Sequence, residues 1–232
     1  ESIIPNLGLL KEYKPLIKQF WREGLFDTMD KRYYRLIDRS NDMKNEVIWD
    51  ELNTEKVFSD FERIFNNESN VGHEAYFDKM THFDFKCLLP ALLQVEDRMS
   101  MAHGLESRVP LLDHPIIEFA ATIPANIKFE DGNMKHMLKA VFKKNLPDKI
   151  LNRRDKMGFP VPLKEWFSGE AREFVLDTFS STSAQNRSFM NTSAIIKNFD
   201  KEARFSRKAW GLLSLELWQQ KFHDNAIKMK FN

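Results

Sequence analysis

The eight glycines of this chain, at positions 8, 24, 72, 104, 132, 158, 169 and 211, never come closer together than eleven residues. A backbone so short of residues that enter unusual conformations freely cannot wrap a phosphate group. Neither a G-x-G-x-x-G turn nor a G-x-x-x-x-G-K-[ST] loop is present. Nine prolines and few turn dipeptides leave equally little for the repeated reversals of an all-β fold. What remains is a mainly α chain, and 232 residues, 42% apolar and 30% charged, suffice to enclose a core.

Apolar residues recur at spacings of three and four nearly throughout, which predicts seven to ten helices, almost no strand and no internal repeat. The expected core stripes begin with Leu16, Ile17, Phe20 and Trp21, followed by Phe26, Met29, Tyr33, Leu36 and Ile37. Thr54 is the expected N-cap of a helix carrying Val57, Phe61, Ile64 and Phe65. Tyr76, Met80, Phe83 and Cys87 share the next face, so Cys87 reads as a small buried apolar residue. Pro90 is expected to reset the chain before Leu92, Val95, Met99 and Ala102, with Gly104 as the stop. Asp113 and Pro115 mark a further start ahead of Ile116, Ile117, Ala120 and Ile123. Later stripes run through Met134, Met137, Leu138, Val141 and Phe142, then Leu163, Trp166 and Phe167, then Phe174, Val175, Thr178 and Phe179. The last, behind a Thr192-Ser193 cap, is Trp210, Leu213 and Leu217. Residues 152–162 form a proline-constrained loop and 180–188 a polar, mobile one. Three stretches, 1–72, 73–179 and 180–232, are expected to pack as one compact domain.

The total charge is +1, which gives no general affinity for nucleic acid. It is unevenly placed: Lys135 to Lys156 holds eight basic and two acidic residues, a net +6, leaving −5 for the remainder. Lys139, Lys143 and Lys144 fit a solvated helix face, whereas Lys156 lies beside Gly158 in the proline-stiffened loop, where an ammonium can be held against an anion such as a polyphosphate. One cysteine excludes an intramolecular disulfide framework and a thiolate metal cluster, and points to a reducing, cytoplasmic setting. Six scattered histidines without ligand spacing predict no metal site. No apolar run approaches the roughly 20 residues of a membrane span. The start, Glu1-Ser2-Ile3-Ile4-Pro5, reads as internal to something longer. Asp97, Arg98, Glu106, Arg108 and Asp113 crowd an apolar boundary, and their structural reading is a buried ion-pair network. On the residues alone, the chain is a helical protein with one anion-binding edge.

Asp97-Arg98-Met99-Ser100-Met101-Ala102-His103-Gly104-Leu105-Glu106-Ser107-Arg108-Val109-Pro110-Leu111-Leu112-Asp113, then Lys135-His136-Met137-Leu138-Lys139, Leu146-Pro147 and Arg154-Asp155-Lys156-Met157-Gly158-Phe159, resemble in order and spacing the C-terminal half of the synthetase domain of glutamine-hydrolysing asparagine synthetases. The resemblance is strong over roughly residues 75–170 and rests on helical character elsewhere. It implies the helical C-terminal portion of an adenine-nucleotide α-hydrolase-like (PP-loop) synthetase domain, without its parallel sheet. In that family a glutaminase domain with an N-terminal cysteine releases ammonia, and the synthetase domain activates a carboxylate with ATP and Mg2+ before ammonia attacks the acyl-adenylate. Cys87 is internal, and neither the Ser-Gly-Gly-x-Asp-Ser loop nor the acidic Gly-rich motif is present.

By the same resemblance, Lys156 matches the family lysine that contacts the phosphates and serves catalysis, and Lys135 a second lysine on the pyrophosphate side. Their separation of 21 is one more than the family pattern and takes up a one-residue loop insertion. Asp97, Arg98, Glu106 and Arg108 are expected to position the site rather than to react. The implied partners are the glutaminase and PP-loop portions of a longer polypeptide, ATP and an aspartate-like carboxylate, with no nucleic acid, no membrane, and a homodimer as an option. ATP and Mg2+ belong to the parent enzyme, and neither is expected to bind this chain tightly. Two alternatives stand beside this: a helical interaction module without activity, or a parent enzyme that amidates another carboxylate, such as a sugar acid or a peptide.

Overall fold

The computed structural model describes residues 26–67, 69, 71–72, 75–128, 135–153, 161–201 and 207–225. The chain divides into two compact units, each discontinuous in sequence: unit one from residues 1–37 and 58–155, unit two from 38–57 and 156–232. Among the described residues no sheet forms; an isolated antiparallel bridge joins Val47 and Met190. The helical, sheetless architecture read from the sequence is therefore present. The stripe Leu16, Ile17, Phe20 and Trp21 lies outside the described residues, as do Met134 and most of the loop 152–162.

In unit one, α1 (Met29–Ile37) and the part of α2 (Thr54–Phe65) from Phe58 onward meet through aromatic rings. Tyr33 stacks on Phe65 with centroids 5.4 Å apart, and Tyr34 and Phe83 stand 5.0 and 4.9 Å from Phe61. Phe61 and Phe65 are buried, and enclosing a ring of that size contributes roughly 1.5–3 kcal/mol. The actual cap of α2 is Asn53, whose side chain accepts from the Lys56 amide at 2.9 Å, one residue before the expected Thr54. Lys79 is buried nearby and donates to Asn66 Oδ1 at 3.1 Å, while Asn66 Nδ2 donates to Asp30 at 2.8 Å. The amide thus links an ammonium to a carboxylate on α1.

Residues 76–101 run on as one helix, contrary to the expected reset at Pro90. α3 (Tyr76–Phe83) passes through a π turn at Asp84–Leu88 into α4 (Leu89–Met101). Pro90 has no N–H to give to the Lys86 carbonyl, and the turn before it widens so that the Leu89 amide reaches back to Asp84. Gly104 ends α4 as expected. At φ +69° it permits the Leu105 amide to bond Ser100 O and its own amide to bond Met101 O, both at 3.0 Å. A 3-10 turn (Pro110–Leu112) leads to α5 (His114–Thr122), capped as expected by Asp113, which accepts from the His114 amide at 3.1 Å. α6 (Ala125–Lys128), α7 (His136–Val141) and α8 (Asp148–Leu151) are short.

Unit two encloses the larger core. Its helices are α9 (Leu163–Ser168), α10 (Arg172–Ser180), α11 (Thr182–Gln185), α12 (Thr192–Asn198) and α13 (Lys208–Trp218), the last extended by a π turn at Gln219–Asp224. Leu163, Phe167, Val175, Phe179, Ile195, Leu212 and Leu213 pack together with Val47 and Met190. The stripe on α13 is Ala209, Leu212, Leu213 and Glu216 rather than one centred on Trp210, which is half exposed. The stretch expected to be a mobile loop is built instead: Ser181 Oγ accepts from the Ala184 amide at 3.2 Å, and Ala184 is fully buried. Asn191, not Thr192, caps α12. The described residues hold thirteen α-helical segments, more than the seven to ten expected, because several last only one turn.

Candidate functional site

The Asp97–Asp113 motif lies in unit one, on the end of α4 and the turns that lead to α5, while the family-like stretch continues past Asp155, where the span of unit two begins. No residue of either helix is buried. Leu92, Val95 and Met99, expected in the core, are all exposed by more than half. Cys87, expected buried, is exposed as well. Partial desolvation and then the Asp84 carboxylate push its thiol above the ordinary range, the opposite of an activated nucleophile.

The expected buried ion-pair network does not form among the described residues. Glu106 and Arg108 pair at 2.6 Å, but both are largely exposed, so the pair stabilises little. Asp113 is committed to its helix cap. Asp97 and Arg98 are exposed on α4. Segment 97–113 is thus held by local backbone geometry, chiefly the Gly104 ending and the Asp113 cap.

Lys135 precedes α7 with φ +59° and ψ +31°, the one non-glycine residue with positive φ among the described residues, and its side chain is exposed. A left-handed conformation costs a residue with a Cβ about 1 kcal/mol or more, and such strain concentrates at functional positions. The Lys139 amide bonds the Lys135 carbonyl at 3.0 Å, fixing the turn from which the ammonium projects. Lys139, Lys143, Lys144 and Lys149 follow on α7, α8 and the turn between them, giving a basic edge. Lys156 lies outside the described residues.

Two polar constructions were not legible beforehand. At the π turn of unit one, Tyr33 donates its hydroxyl to Asp84 Oδ1 at 2.8 Å. Burial, then the bond and charge of that carboxylate, push the phenol far above its ordinary range, so Tyr33 is a fixed neutral donor. A cleft of about 510 Å³ is lined among others by Val71, Phe77, His82, Phe85, Ala120 and Lys128. Lys128 Nζ stands 3.6 Å from Asp78 and over the Phe77 ring. Both His82 ring nitrogens are buried without a partner. Its walls come from segments some forty residues apart, so no spacing rule could have assembled it; neither Lys135 nor segment 97–113 lines it. No group of three or more His, Cys, Asp or Glu residues able to hold a metal occurs among the described residues. Nor is any described helix long and apolar enough to cross a membrane.

Fold and site together define a helical protein with a basic edge and outward-facing apolar motif helices. The family model described as asparagine synthase matches residues 8–220, and the chain belongs to that family, whose domain is of the PP-loop synthetase type. It is similar to asparagine synthetase [glutamine-hydrolyzing] 1 of Bacillus subtilis, with 30% identity over 154 residues, covering 65% of this chain and 23% of that protein. A putative asparagine synthetase [glutamine-hydrolyzing] of Mycobacterium tuberculosis is 30% identical over 155 residues, 64% of this chain and 23% of the relative. Amidase chry2 of Gibberella zeae is 26% identical over 104 residues, 42% and 15% of the two chains. The chain thus spans about a quarter of the length of the first two relatives. No solved structure matches it significantly.

Proposed function

We propose that this chain is the helical, phosphate-facing part of an ATP-dependent, ammonia-using ligase that forms asparagine from aspartate. The observation that carries this reading is the family match over residues 8–220, which encloses the +6 window from Lys135 to Lys156. In the reaction, a carboxylate oxygen displaces pyrophosphate from the α-phosphorus of ATP. Ammonia then attacks the acyl carbon, AMP leaves with the C–O electron pair, and the nitrogen loses a proton to solvent. Charge accumulates on pyrophosphate in the first step, and fixed ammonium groups there stabilise the transition state more than the ground state. Lys156 takes that role and Lys135 supports it from the strained turn before α7. Asp97, Arg98, Glu106 and Arg108 are assigned to positioning around the site rather than to the chemistry. The glutaminase, the nucleotide loop and the magnesium carboxylates come from other parts of the enzyme, and the setting is cytoplasmic.

The test uses a fused protein in which this chain replaces the matched quarter of the Bacillus subtilis synthetase. Aspartate- and ATP-dependent pyrophosphate release is expected to fall at least 100-fold in Lys156→Ala and about tenfold in Lys135→Ala, roughly 3 and 1.4 kcal/mol of transition-state stabilisation. Lys156→Ala within a few-fold of the parent overturns the assignment. The 232 residues alone are expected to show no turnover and at most weak binding of ATP or pyrophosphate, and micromolar ATP binding by calorimetry would contradict that. A second reading, a helical interaction module without activity, draws on the exposed motif helices; a fused protein that folds yet never releases pyrophosphate favours it. If release depends on a sugar acid or a peptide carboxylate instead of aspartate, the ligase reading stands with another acceptor.

A further inference from the structure

The cleft of unit one joins an apolar bed to a pair of opposite charges. Phe77, Thr81 and Phe85 recur every four residues along α3 and the π turn after it, and Ile117, Ala120 and Ala121 line the cleft from α5. Its volume of about 510 Å³ falls within the roughly 300–1,000 Å³ of small-molecule clefts, and the two alanines leave open what larger side chains would fill. His82 adds a wall and not a donor, because both its ring nitrogens are closed to solvent. Lys128 Nζ and Asp78 Oδ1 stand 3.6 Å apart, beyond hydrogen-bond length, so the ammonium keeps donors and the carboxylate keeps acceptors for a ligand. The ammonium also lies over the Phe77 ring, which puts the charges at the edge of the apolar bed.

We propose that this cleft binds a free amino acid with a large apolar or aromatic side chain. The α-carboxylate pairs with Lys128, the α-ammonium pairs with Asp78, and the side chain lies against Phe77, Phe85 and Ile117. The two protein charges select a zwitterion. A simple acid would set its carboxylate beside Asp78, and a simple amine its ammonium beside Lys128, like charges that repel. An amino acid carries both groups on one carbon and meets both partners at once. A carboxylate or amide side chain would be left on the apolar bed without a hydrogen-bond partner, which disfavours aspartate, asparagine and glutamine. Neither Lys135 nor segment 97–113 lines the cleft, so the inference does not depend on the ligase reading.

The full 232-residue chain is titrated with L-phenylalanine near neutral pH and followed by calorimetry. A dissociation constant on the order of 0.1–1 mM is expected for a ligand of this size. 3-Phenylpropionate lacks the ammonium, phenethylamine the carboxylate and L-asparagine the apolar side chain, and each is expected to bind at least roughly tenfold more weakly. Lys128→Met, which keeps the stem over Phe77, should weaken L-phenylalanine about tenfold, and Asp78→Asn, at the more exposed partner, about threefold. Ala120→Leu should abolish binding by filling the cleft, and urea unfolding of each variant checks that it folds. The comparison of ligands on the unaltered chain decides the matter even if a variant does not fold. No binding of L-phenylalanine, binding of any of the three other compounds as tight as L-phenylalanine, or binding indifferent to Lys128→Met in a folded variant would each overturn the inference.

Discussion

Replacing Arg187 by methionine tests what holds unit two together. The guanidinium gives Nε to Glu216 Oε2 at 3.0 Å and one terminal nitrogen to Glu216 Oε1 at 3.1 Å, while both terminal nitrogens reach Asp224 at 2.9 and 2.6 Å. Glu216 is 0% exposed on α13, and its other described partner is Gln220 Nε2 at 2.9 Å. Methionine preserves much of the apolar stem and removes every donor, leaving a buried carboxylate with one amide. Breaking a buried pair from one side costs about 3–5 kcal/mol. Because Gln220 remains, the lower end applies, about 3 kcal/mol, or roughly 12–24 °C in the melting temperature of a unit whose span is about a hundred residues. Arg187→Met with Glu216→Leu removes both charges and fills the space with apolar atoms, and is expected to lie within about 1 kcal/mol of the parent. Urea unfolding read by tryptophan fluorescence follows this unit, since four of the five tryptophans (Trp49, Trp166, Trp210 and Trp218) lie in its span. A single variant within about 0.5 kcal/mol of the parent, or a double variant that costs the sum of the singles, refutes the reasoning.

Acid should unfold the same unit early. Burial alone would raise the Glu46 carboxyl, but hydrogen bonds from Asn198 and Lys208, with the charge of that ammonium, together outweigh it and hold the group below its ordinary value; Arg187 does the same for Asp224. Folded values below the unfolded ones give stability that is complete above the ordinary carboxylate range and lost as pH falls through the folded values, so urea midpoints should be level from pH 6 to 8 and drop below about pH 4.5. Equal midpoints at pH 7 and pH 3 would contradict this. Lys135→Gly should stabilise unit one by about 0.5–1 kcal/mol by relieving the left-handed turn, while Lys135→Val should destabilise it; hydrogen exchange of α7 distinguishes the two. Cys87, exposed but with its thiol raised by partial desolvation and then by Asp84, should be alkylated by iodoacetamide at pH 8 more slowly than a free cysteine, and reaction as fast as the free thiol would show that neither raises it.

Glycine spacing excluded a phosphate loop, helical periodicity gave the class of fold, and the ordered motifs from Asp97 to Lys156 pointed to the family. Gly104 and Asp113 could be assigned their ending and capping roles because each depends on backbone within a few residues. Periodicity marks which face of a helix is apolar but carries nothing about what covers it. Phe61 and Phe65 on α2 are therefore buried among rings of α1 and α3, whereas Leu92, Val95 and Met99 on α4, with an equally regular stripe, face outward. The polar centres were hidden for the same reason. Arg187 finds Glu216 across 29 residues and Glu46 finds Lys208 across 162. Such pairings exist only once packing has enclosed the carboxylate, because in water neither partner gains enough to seek the other.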